Sequence, residues 1–158
     1  MRESTVKDWM SHLVVFVDPD TTVYEALHIM RHRYATSLIV EKTADSPQYG
    51  IVTSINICDK IVAQGNDPTK TKVRDIMASP VITVPDSLLI TECAAKMKEH
   101  RIHHLPVADD NGNIIGMIAA MDLLLEIGIS RELTWKRRNR LFFYEKYLSI
   151  LNEGTETT

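Results

Sequence analysis

Residues Arg101–Asp122, RIHHLPVADDNGNIIGMIAAMD, hold the elements of a small folding unit. Leu105–Val107 predicts a first strand, and Ile114–Ile118 predicts a second. Between them, Asp110–Asn113 reads DNGN and is a turn signal, because Asn-Gly tolerates the positive φ angles of tight hairpins. Asp122 follows near the start of a predicted helix, where its carboxylate can cap the helix or accept hydrogen bonds from the hydroxyls of a ligand.

The same pattern occurs twice in the chain, at a spacing of 66 or 67 residues. The matched stretches are Val6–Met10 with Val73–Met77, Pro19–Asp20 with Pro85–Asp86, and Gly50–Val52 with Gly116–Ile118. Under this match, Asn56 stands where Asp122 stands. Repeats of this size are each too small to bury a good core alone, so we expect the two to pack together.

Each repeat is predicted to run β-α-β-β-α from its apolar spacing and turn signals. In the first repeat, a short helix at Thr5–Met10 precedes strands at Leu13–Val17, Leu38–Val40 and Gly50–Thr53, and helices at Val23–Arg33 (capped by Thr21 or Thr22) and Ile55–Ala63. In the second, the further predictions are a strand at Val81–Val84, a helix at Leu88–His100, and a last helix to about Ile127 that stops at Gly128.

The order of these motifs resembles the cystathionine-β-synthase (CBS) domain: Asp-apolar-Met, then Pro-Asp beside a helix, then Leu-Pro-Val, then a Gly-apolar-apolar strand followed by Asp. Two copies in tandem resemble a CBS pair, or Bateman module, over about residues 5–128. The resemblance implies an α+β fold of two β-α-β-β-α repeats packed sheet to sheet, with two clefts between them. We therefore assign residues 1–66 to the first CBS repeat, 67–129 to the second, and 130–158 to a C-terminal helical extension.

The resemblance also implies a ligand, because family members bind adenosine-containing nucleotides in these clefts. In the family pattern, the Asp after the glycine strand holds the ribose hydroxyls, and a Thr or Ser three residues earlier contacts phosphate. The opposite repeat contributes residues just before its own Leu-Pro-Val strand. Those positions define two unequal clefts in this chain.

The first cleft, called here the Asp122 cleft, has the ribose-binding carboxylate but carries Ala119 at the Thr/Ser position. It offers few cations for phosphate groups. Its candidate ligand contacts are Asp122, Ala119, Met121, Thr36 and Ser37, with His12 or Leu13 near the adenine.

The second cleft, called here the Asn56 cleft, keeps the Thr as Thr53 but has Asn56 in place of Asp. An Asn side chain can still donate to or accept from a hydroxyl, and Arg and protonated His suit phosphate. Its candidate contacts are Thr53, Asn56, Ser79, Thr83, Arg101, His103 and His104. The plainer alternative for both clefts is that Asp122 and Asn56 cap helices and that Thr53 and Ser37 satisfy backbone groups at strand ends.

Bulk properties fit a globular domain: 158 residues, 44% hydrophobic and 25% charged. No apolar run approaches the ~20 residues of a membrane span. Cys58 and Cys93 fall in apolar helical stretches, so we expect buried thiols in a reducing, cytoplasmic compartment. No nucleophile with an ordered base and no phosphate-cradling glycine loop is evident, so the chain is not expected to be an enzyme.

The six histidines raise the question of a metal. His28 and His32 are four residues apart on a predicted helix, and His100, His103 and His104 cluster in sequence. No Cys or Glu spacing completes either set as a zinc site. We therefore predict no metal and no other cofactor, with an adenine nucleotide as regulatory ligand.

The last predicted helix, Leu133–Asn152, lies outside the repeats. One stripe of it carries Leu141, Tyr144, Leu148 and Leu151, with Phe142 and Phe143 beside it. It needs a partner surface, either on its own module or on a second subunit.

Three functions are compatible with these observations. The leading one is a non-enzymatic regulatory module that senses AMP, ADP, ATP or a related adenosyl ligand and relays the signal to an unknown partner protein. We expect this module to be a homodimer. The alternative is a ligand-free structural dimerisation module with degenerate clefts. The third, nucleic-acid binding through the basic run Lys136–Arg140, ranks last because such a run is usually a solvated helix face and the rest of the chain is acidic.

Overall fold

The computed structural model describes residues 4–129, with side chains through residue 124. The chain divides into two compact units, Met1–Asp122 and Leu123–Thr158. The predicted helix at Leu133–Asn152, with its aromatic stripe, lies outside the described residues. Within the described part, no helix has both the length and the apolar character needed to cross a membrane.

The first repeat builds a three-stranded sheet. Its elements are α1 (Val6–Trp9), β1 (Phe16–Val17), α2 (Val23–Arg33), β2 (Ser37–Val40), β3 (Gly50–Thr53) and α3 (Ser54–Ile57), which continues as a π-helical turn at Cys58–Val62. Strand β2 is central, with β1 parallel to it and β3 antiparallel. Helix α2 begins where the sequence predicts, because Thr22 Oγ1 accepts from Glu25 N at 3.2 Å while the Glu25 carboxylate accepts from Thr22 N at 2.9 Å.

The second repeat repeats this plan with a shorter sheet. Its elements are α4 (Val73–Ile76), α5 (Ile90–His100), β4 (His104–Ala108), β5 (Ile114–Ala119) and α6 (Ala120–Ile129). Strands β4 and β5 pair antiparallel. In the place of β1, only Val84 pairs with the sheet, in parallel with Val107.

The segment that leads into each repeat packs on the other repeat. Lead segment 1 (residues 5–11) contacts the second repeat, where Val6 N donates to Leu88 O at 2.8 Å. Lead segment 2 (residues 72–78) contacts the first, where Val73 N donates to Thr21 O at 2.9 Å. Each lead segment is therefore hydrogen-bonded to residues in or just after the Pro-Asp motif of the opposite repeat.

Ion pairs also join the basic residues of each lead segment to the aspartate of the Pro-Asp motif in the opposite repeat. Lys72 Nζ lies 3.0 Å from Asp20 Oδ1, and Arg74 pairs with the other oxygen of the same carboxylate. The hydrogen bond from Lys72 lowers the pKa of Asp20. The matching pair in the other repeat, Lys7 with Asp86, is looser at 4.0 Å. Such exposed pairs set register more than they add stability.

A glycine lies where each lead segment crosses a sheet. A Cβ added at Gly116 would lie 2.9 Å from Ser11 O and 3.0 Å from Met10 Sδ. A Cβ added at Gly50 would lie 2.5 Å from Met77 Sδ. The glycine of the Gly-apolar-apolar motif is therefore needed because the methionine of the Asp-apolar-Met motif packs against it.

The core of the first repeat is completed by lead segment 2. Val73 and Ile76 are buried in the same cluster as residues of α2 and the three strands. The first-repeat members of this cluster are Val17, Val23, Ala26, Met30, Leu38, Val40, Val52, Ile57 and Ile61. Lead segment 2 therefore forms part of the core of the first repeat.

Several sequence predictions need correction in detail. The strand predicted at Leu13–Val17 is regular only at Phe16–Val17, although Val15 O still accepts from Ile39 N at 2.9 Å. The strand predicted at Val81–Val84 pairs with β4 only at Val84, and Val81 and Ile82 line a cavity instead. Helix α6 continues through Gly128 to Ile129, since a single glycine inside a helix costs only about 1 kcal/mol.

The helix predicted at Ile55–Ala63 changes to π-helical hydrogen bonding, in which Ala63 N donates to Cys58 O at 2.9 Å. This change shifts the side-chain register, so Cys58 is exposed rather than buried as predicted. Cys93 is buried as predicted, and burial raises the pKa of its thiol to about 11. Both are free thiols.

We expect Gly116→Ala to lower the free energy of unfolding by about 1–3 kcal/mol, the usual cost of overpacking. The new methyl group would meet a backbone carbonyl, which cannot rotate away. Gly50→Ala is the matched variant, because its obstacle is a methionine side chain, and adding Met77→Ala should remove the overlap. Urea denaturation measures all four proteins. Equal midpoints for Gly116→Ala and wild type would show that lead segment 1 does not press on β5.

Candidate ligand-binding clefts between the repeats

The Asn56 cleft contains a cavity of about 160 Å³ between the repeats. Its polar lining residues are Thr53, Asn56, Arg101, His103 and His104, all of them predicted contacts. Its apolar and small lining residues are Ile51, Ile55, Ala78, Pro80, Val81, Ile82 and Ile102. The first repeat supplies β3 and α3, and the second supplies lead segment 2 with its continuation and the turn between α5 and β4.

Thr53 and Asn56 cap helix α3 together. Asn56 Oδ1 accepts from Thr53 N and from Thr53 Oγ1, both at 2.9 Å, and Asn56 N donates to Thr53 Oγ1 at 3.2 Å. The capping role suggested by the sequence is therefore real. It uses the amide oxygen of Asn56, so the group that Asn56 can offer to a ligand is its donor Nδ2.

Arg101 enters the cleft from the end of α5, in a left-handed conformation with φ 54°. That conformation is unusual for a residue with a Cβ. It directs the chain from α5 into β4 and leaves Arg101, His103 and His104 together on the cavity wall. Arg101 supplies a permanent positive charge there.

His104 links the two repeats. Its Nε2 lies 2.9 Å from Oγ1 of Thr36. Burial lowers the pKa of His104, the neighbouring His103 lowers it further, and the negative charge of Asp122 opposes them. Thr36, predicted to serve the Asp122 cleft, is thus bonded to a histidine that lines the Asn56 cleft, so this hydrogen bond joins the rims of both clefts.

Ser79 and Thr83 are not among the residues that line the cavity. Ser79 Oγ instead donates to Tyr49 O at 3.5 Å, and both side chains are exposed. The wall there is formed by Pro80, Val81 and Ile82. The sequence analysis interpreted Val81 and Ile82 as strand residues because β-branched runs predict strands, and it named only polar contacts for the Asn56 cleft.

The Asp122 cleft is more open. Ala119 N donates to Asp122 Oδ2 at 2.9 Å, so Asp122 caps α6 as Asn56 caps α3. On its rim, the side chain of Leu13 is 65% exposed and that of Met121 is 64% exposed. The other predicted contacts, His12 and Thr36, are exposed, and Ser37 is half-buried at the start of β2.

His28 and His32 lie on the exposed face of α2, with ring centroids 6.3 Å apart and nearly stacked. Tyr24 packs edge-on against His28 at 4.7 Å. Among the residues with described side chains, no group of three or more His, Cys, Asp or Glu has the arrangement of a metal site. The histidine pair and Tyr24 therefore form a row of exposed rings on α2.

Two repeats in tandem, with lead segments exchanged between them, define a double-repeat class of fold. The family model of the CBS domain matches residues 6–63 and 73–128, and the chain belongs to the CBS-domain family as a tandem pair. A similar protein is an uncharacterised protein of Methanopyrus kandleri, 34% identical over 124 residues. The match covers 78% of this chain and 63% of that protein, so this chain spans less than two thirds of its length.

Solved structures agree on the fold. The hexameric CBS-CP12 protein from bloom-forming cyanobacteria has a TM-score of 0.76 at 27% identity, covering 97% of this chain and 86% of that one. The CBS domain pair of protein MJ0100 has a TM-score of 0.68 at 26% identity, covering 79% and 100%. That pair was solved in complex with 5′-methylthioadenosine and S-adenosyl-L-methionine. The predicted α+β CBS-pair fold is thereby confirmed.

Stability should fall in mild acid because of His104. Its pKa in the folded state is below the ordinary value of about 6.5, so the unfolded chain takes up the proton first. The contribution of neutral His104 to the free energy of unfolding is therefore complete above about pH 6.5. It is lost as pH falls through the folded-state pKa, at no more than about 1.4 kcal/mol per pH unit.

His104→Gln should flatten this dependence, while Gln can still bond to Thr36. Urea unfolding at pH 7.5 and 5.5 measures it, and His32→Gln, on an exposed face of α2, is the matched control. Parallel pH curves for His104→Gln and wild type would show that the half-buried His104 carries no such penalty.

Proposed function

We propose that this CBS pair is a non-enzymatic regulatory module that senses an adenine nucleotide, with its phosphate groups bound in the Asn56 cleft. The observation that carries the proposal is the cavity wall formed by Arg101, His103 and His104 together with Asn56 Nδ2. The residues that line this cavity include no carboxylate. Hydrogen-bond donors and an arginine on a wall that no carboxylate lines favour a phosphate-bearing ligand.

The remaining walls suit a nucleobase. Ile55, Ile82 and Ile102 offer apolar surface on both sides of the cavity, and small-molecule sites are mostly apolar with a few placed polar groups. The adenosyl ligands of the MJ0100 pair support adenosine as the nucleoside class.

Sensing follows from the position of the cleft between the repeats. A ligand that contacts β3 and α3 on one side and the α5–β4 turn on the other favours one relative placement of the repeats. Such a ligand shifts the equilibrium only by its difference in affinity for the two placements. A partner protein, whose identity the sequence leaves open, would respond to that shift.

The proposal includes no catalytic step and no resident cofactor. The regulatory ligand acts by binding alone. Free Cys58 on the surface supports a reducing compartment, and we propose the cytoplasm.

The alternative is a structural dimerisation module with empty clefts. Ala119 and Asn56, which depart from the family pattern, favour it, as do the capping bonds of Asn56 and Asp122. A thermal-shift screen with AMP, ADP, ATP, S-adenosylmethionine and NAD separates the two. A ligand at 100 times its Kd stabilises the folded state by about 2.7 kcal/mol, whereas no shift with any of them would favour the empty module.

ATP affinity should weaken from pH 6 to pH 8, and more steeply than adenosine affinity. The bound phosphates stabilise protonated His103 and His104, so binding takes up protons. His103→Gln with His104→Gln should remove this difference. Arg101→Gln is the control: it should weaken ATP binding at both pH values without changing the slope, because arginine stays charged.

Titration calorimetry measures these affinities. The phosphate groups of the ligand also titrate, at about pH 6 for a phosphomonoester. Wild type and variant are therefore compared with the same ligand. A pH slope for ATP that survives the double change would exclude these histidines as the phosphate contacts.

We expect the protein to be a homodimer. The aromatic stripe of the C-terminal extension needs a partner surface, and the related CBS-CP12 protein is hexameric. Mass measurement by light scattering at micromolar concentration tests the expectation, with Phe142→Ser plus Phe143→Ser as a variant that should lose the dimer. A wild-type monomer at that concentration would refute it.

A further inference from the structure

The side-chain amide of Asn56 is fixed in one orientation by the cap of α3. Its oxygen Oδ1 accepts from Thr53 N and from Thr53 Oγ1, both at 2.9 Å. A backbone N–H can only donate, so the atom that faces it must be the amide oxygen and not the amide nitrogen. Two donors also occupy both lone pairs of that oxygen. The side chain of Asn56 therefore has no acceptor left for a ligand.

The amide nitrogen of Asn56 has the opposite status. Among the residues whose side chains the structure describes, none accepts a hydrogen bond from Asn56 Nδ2. Asn56 is half-buried on the wall of the cavity, where an amide that is removed from water needs a hydrogen-bond partner. The two hydrogens of Nδ2 are therefore available to a ligand in the cavity.

The neighbouring groups on the first-repeat wall of the cavity are already bonded. The carbonyl of Ile51 accepts from Ala78 N at 2.9 Å, and the carbonyl of Ile55 accepts from Cys58 N. Thr53 Oγ1 donates its hydrogen to Asn56, which leaves this oxygen one lone pair. The first-repeat wall therefore meets a ligand mainly with the hydrogens of Nδ2.

The wall supplied by the second repeat carries Arg101 and its two histidine neighbours. Each wall also has an isoleucine next to its polar group in the sequence, Ile55 before Asn56 and Ile102 after Arg101, and both isoleucines line the cavity. The cavity thus has hydrogen-bond donors on two walls, each beside apolar surface. A ligand that uses both walls needs an acceptor at two separate points.

We propose that Asn56 determines the specificity of this cleft by selecting an adenine nucleotide that carries phosphate on its ribose, at the 2′ or 3′ position, as well as at its 5′ end. The inference rests on the proposed function for the nucleotide class of ligand. A base between Ile55 and Ile102 places its ribose beside Asn56 and its 5′-phosphate toward Arg101. A ribose phosphate accepts both hydrogens of Nδ2 in charge-assisted bonds. A free ribose hydroxyl also brings a hydrogen that finds no acceptor in Asn56.

A carboxylate at position 56 would reverse this preference. Carboxylates accept from free ribose hydroxyls, whereas a ribose phosphate requires a donor or a cation, as in dinucleotide-binding sites. The backbone of the repeat tolerates either residue as a cap, since Asp122 accepts from Ala119 N at 2.9 Å. Asn56→Asp therefore keeps the cap through one oxygen and replaces Nδ2 with the other.

Titration calorimetry of the whole chain with adenosine 3′,5′-bisphosphate, adenosine 2′,5′-bisphosphate and ADP tests the inference, because these ligands carry equal numbers of phosphate groups. We expect one of the bisphosphates to bind the wild type about tenfold more tightly than ADP. Asn56→Asp should weaken that bisphosphate about tenfold to hundredfold relative to ADP, through the loss of charge-assisted bonds. ATP, which has more phosphate but none on its ribose, controls for total charge and should respond to Asn56→Asp as ADP does.

Arg101→Gln is the matched control on the opposite wall. It should weaken all of these nucleotides by a similar factor and leave the ratio of their Kd values unchanged, because arginine contacts the 5′-phosphate that they share. The far-ultraviolet spectrum and the unfolding midpoint of each variant establish that it is folded. The Kd ratio of the wild type tests the preference without any variant.

The outcomes separate this inference from the proposed function. If the wild type binds ADP as tightly as both bisphosphates, or if the preference survives Asn56→Asp, selection by Asn56 is refuted, and the phosphate site stands where Arg101→Gln weakens ADP. If Asn56→Asp reverses the preference while Arg101→Gln changes no affinity, the cationic wall of the proposed function is refuted and selection by Asn56 stands. If no nucleotide binds, both are refuted in favour of the ligand-free dimerisation module.

Discussion

The close approach of each lead segment to a glycine of the opposite repeat is the constraint on which the rest of the fold depends. Ser11 O and Met10 Sδ occupy the space above Gly116, and Met77 Sδ occupies the space above Gly50. Packing at this density leaves no room for a methyl group. The same segments supply buried residues to the neighbouring core, so the repeats fold as one unit. The Asp-apolar-Met and Gly-apolar-apolar motifs thus form the two sides of one contact.

The exchange also creates the clefts. Once it has crossed β3, lead segment 2 continues along the wall of the Asn56 cleft as Pro80, Val81 and Ile82. Val81 and Ile82 are β-branched, yet they form no regular strand. The opposite wall comes from the turn after α5. The cavity therefore lies where three separate pieces of chain meet.

Local signals were predictable from the sequence, and contacts between distant side chains were not. The bounds of α2 match the prediction because Thr22 and Glu25 form a capping box and the apolar spacing continues to Met30. The repeat itself identified Asn56 and Asp122 as equivalents. The bond between Thr36 and His104 spans 68 residues and depends on tertiary placement. The π-helical turn at Cys58–Val62 was likewise not predictable, since the local sequence favours a continuous helix there.

Duplication explains why the clefts share a frame, and substitution explains why they differ. The backbone geometry is held by the caps, the glycines and the left-handed residues Tyr34 and Arg101, so side chains at the cleft can change without loss of the fold. Two changes, at the positions of Arg101 and Asn56, replace the cation of one cleft with the carboxylate of the other. His104 stands between the two clefts, bonded to Thr36 and within the field of Asp122. His104 thus connects the rims of both clefts through one hydrogen bond and one charge interaction.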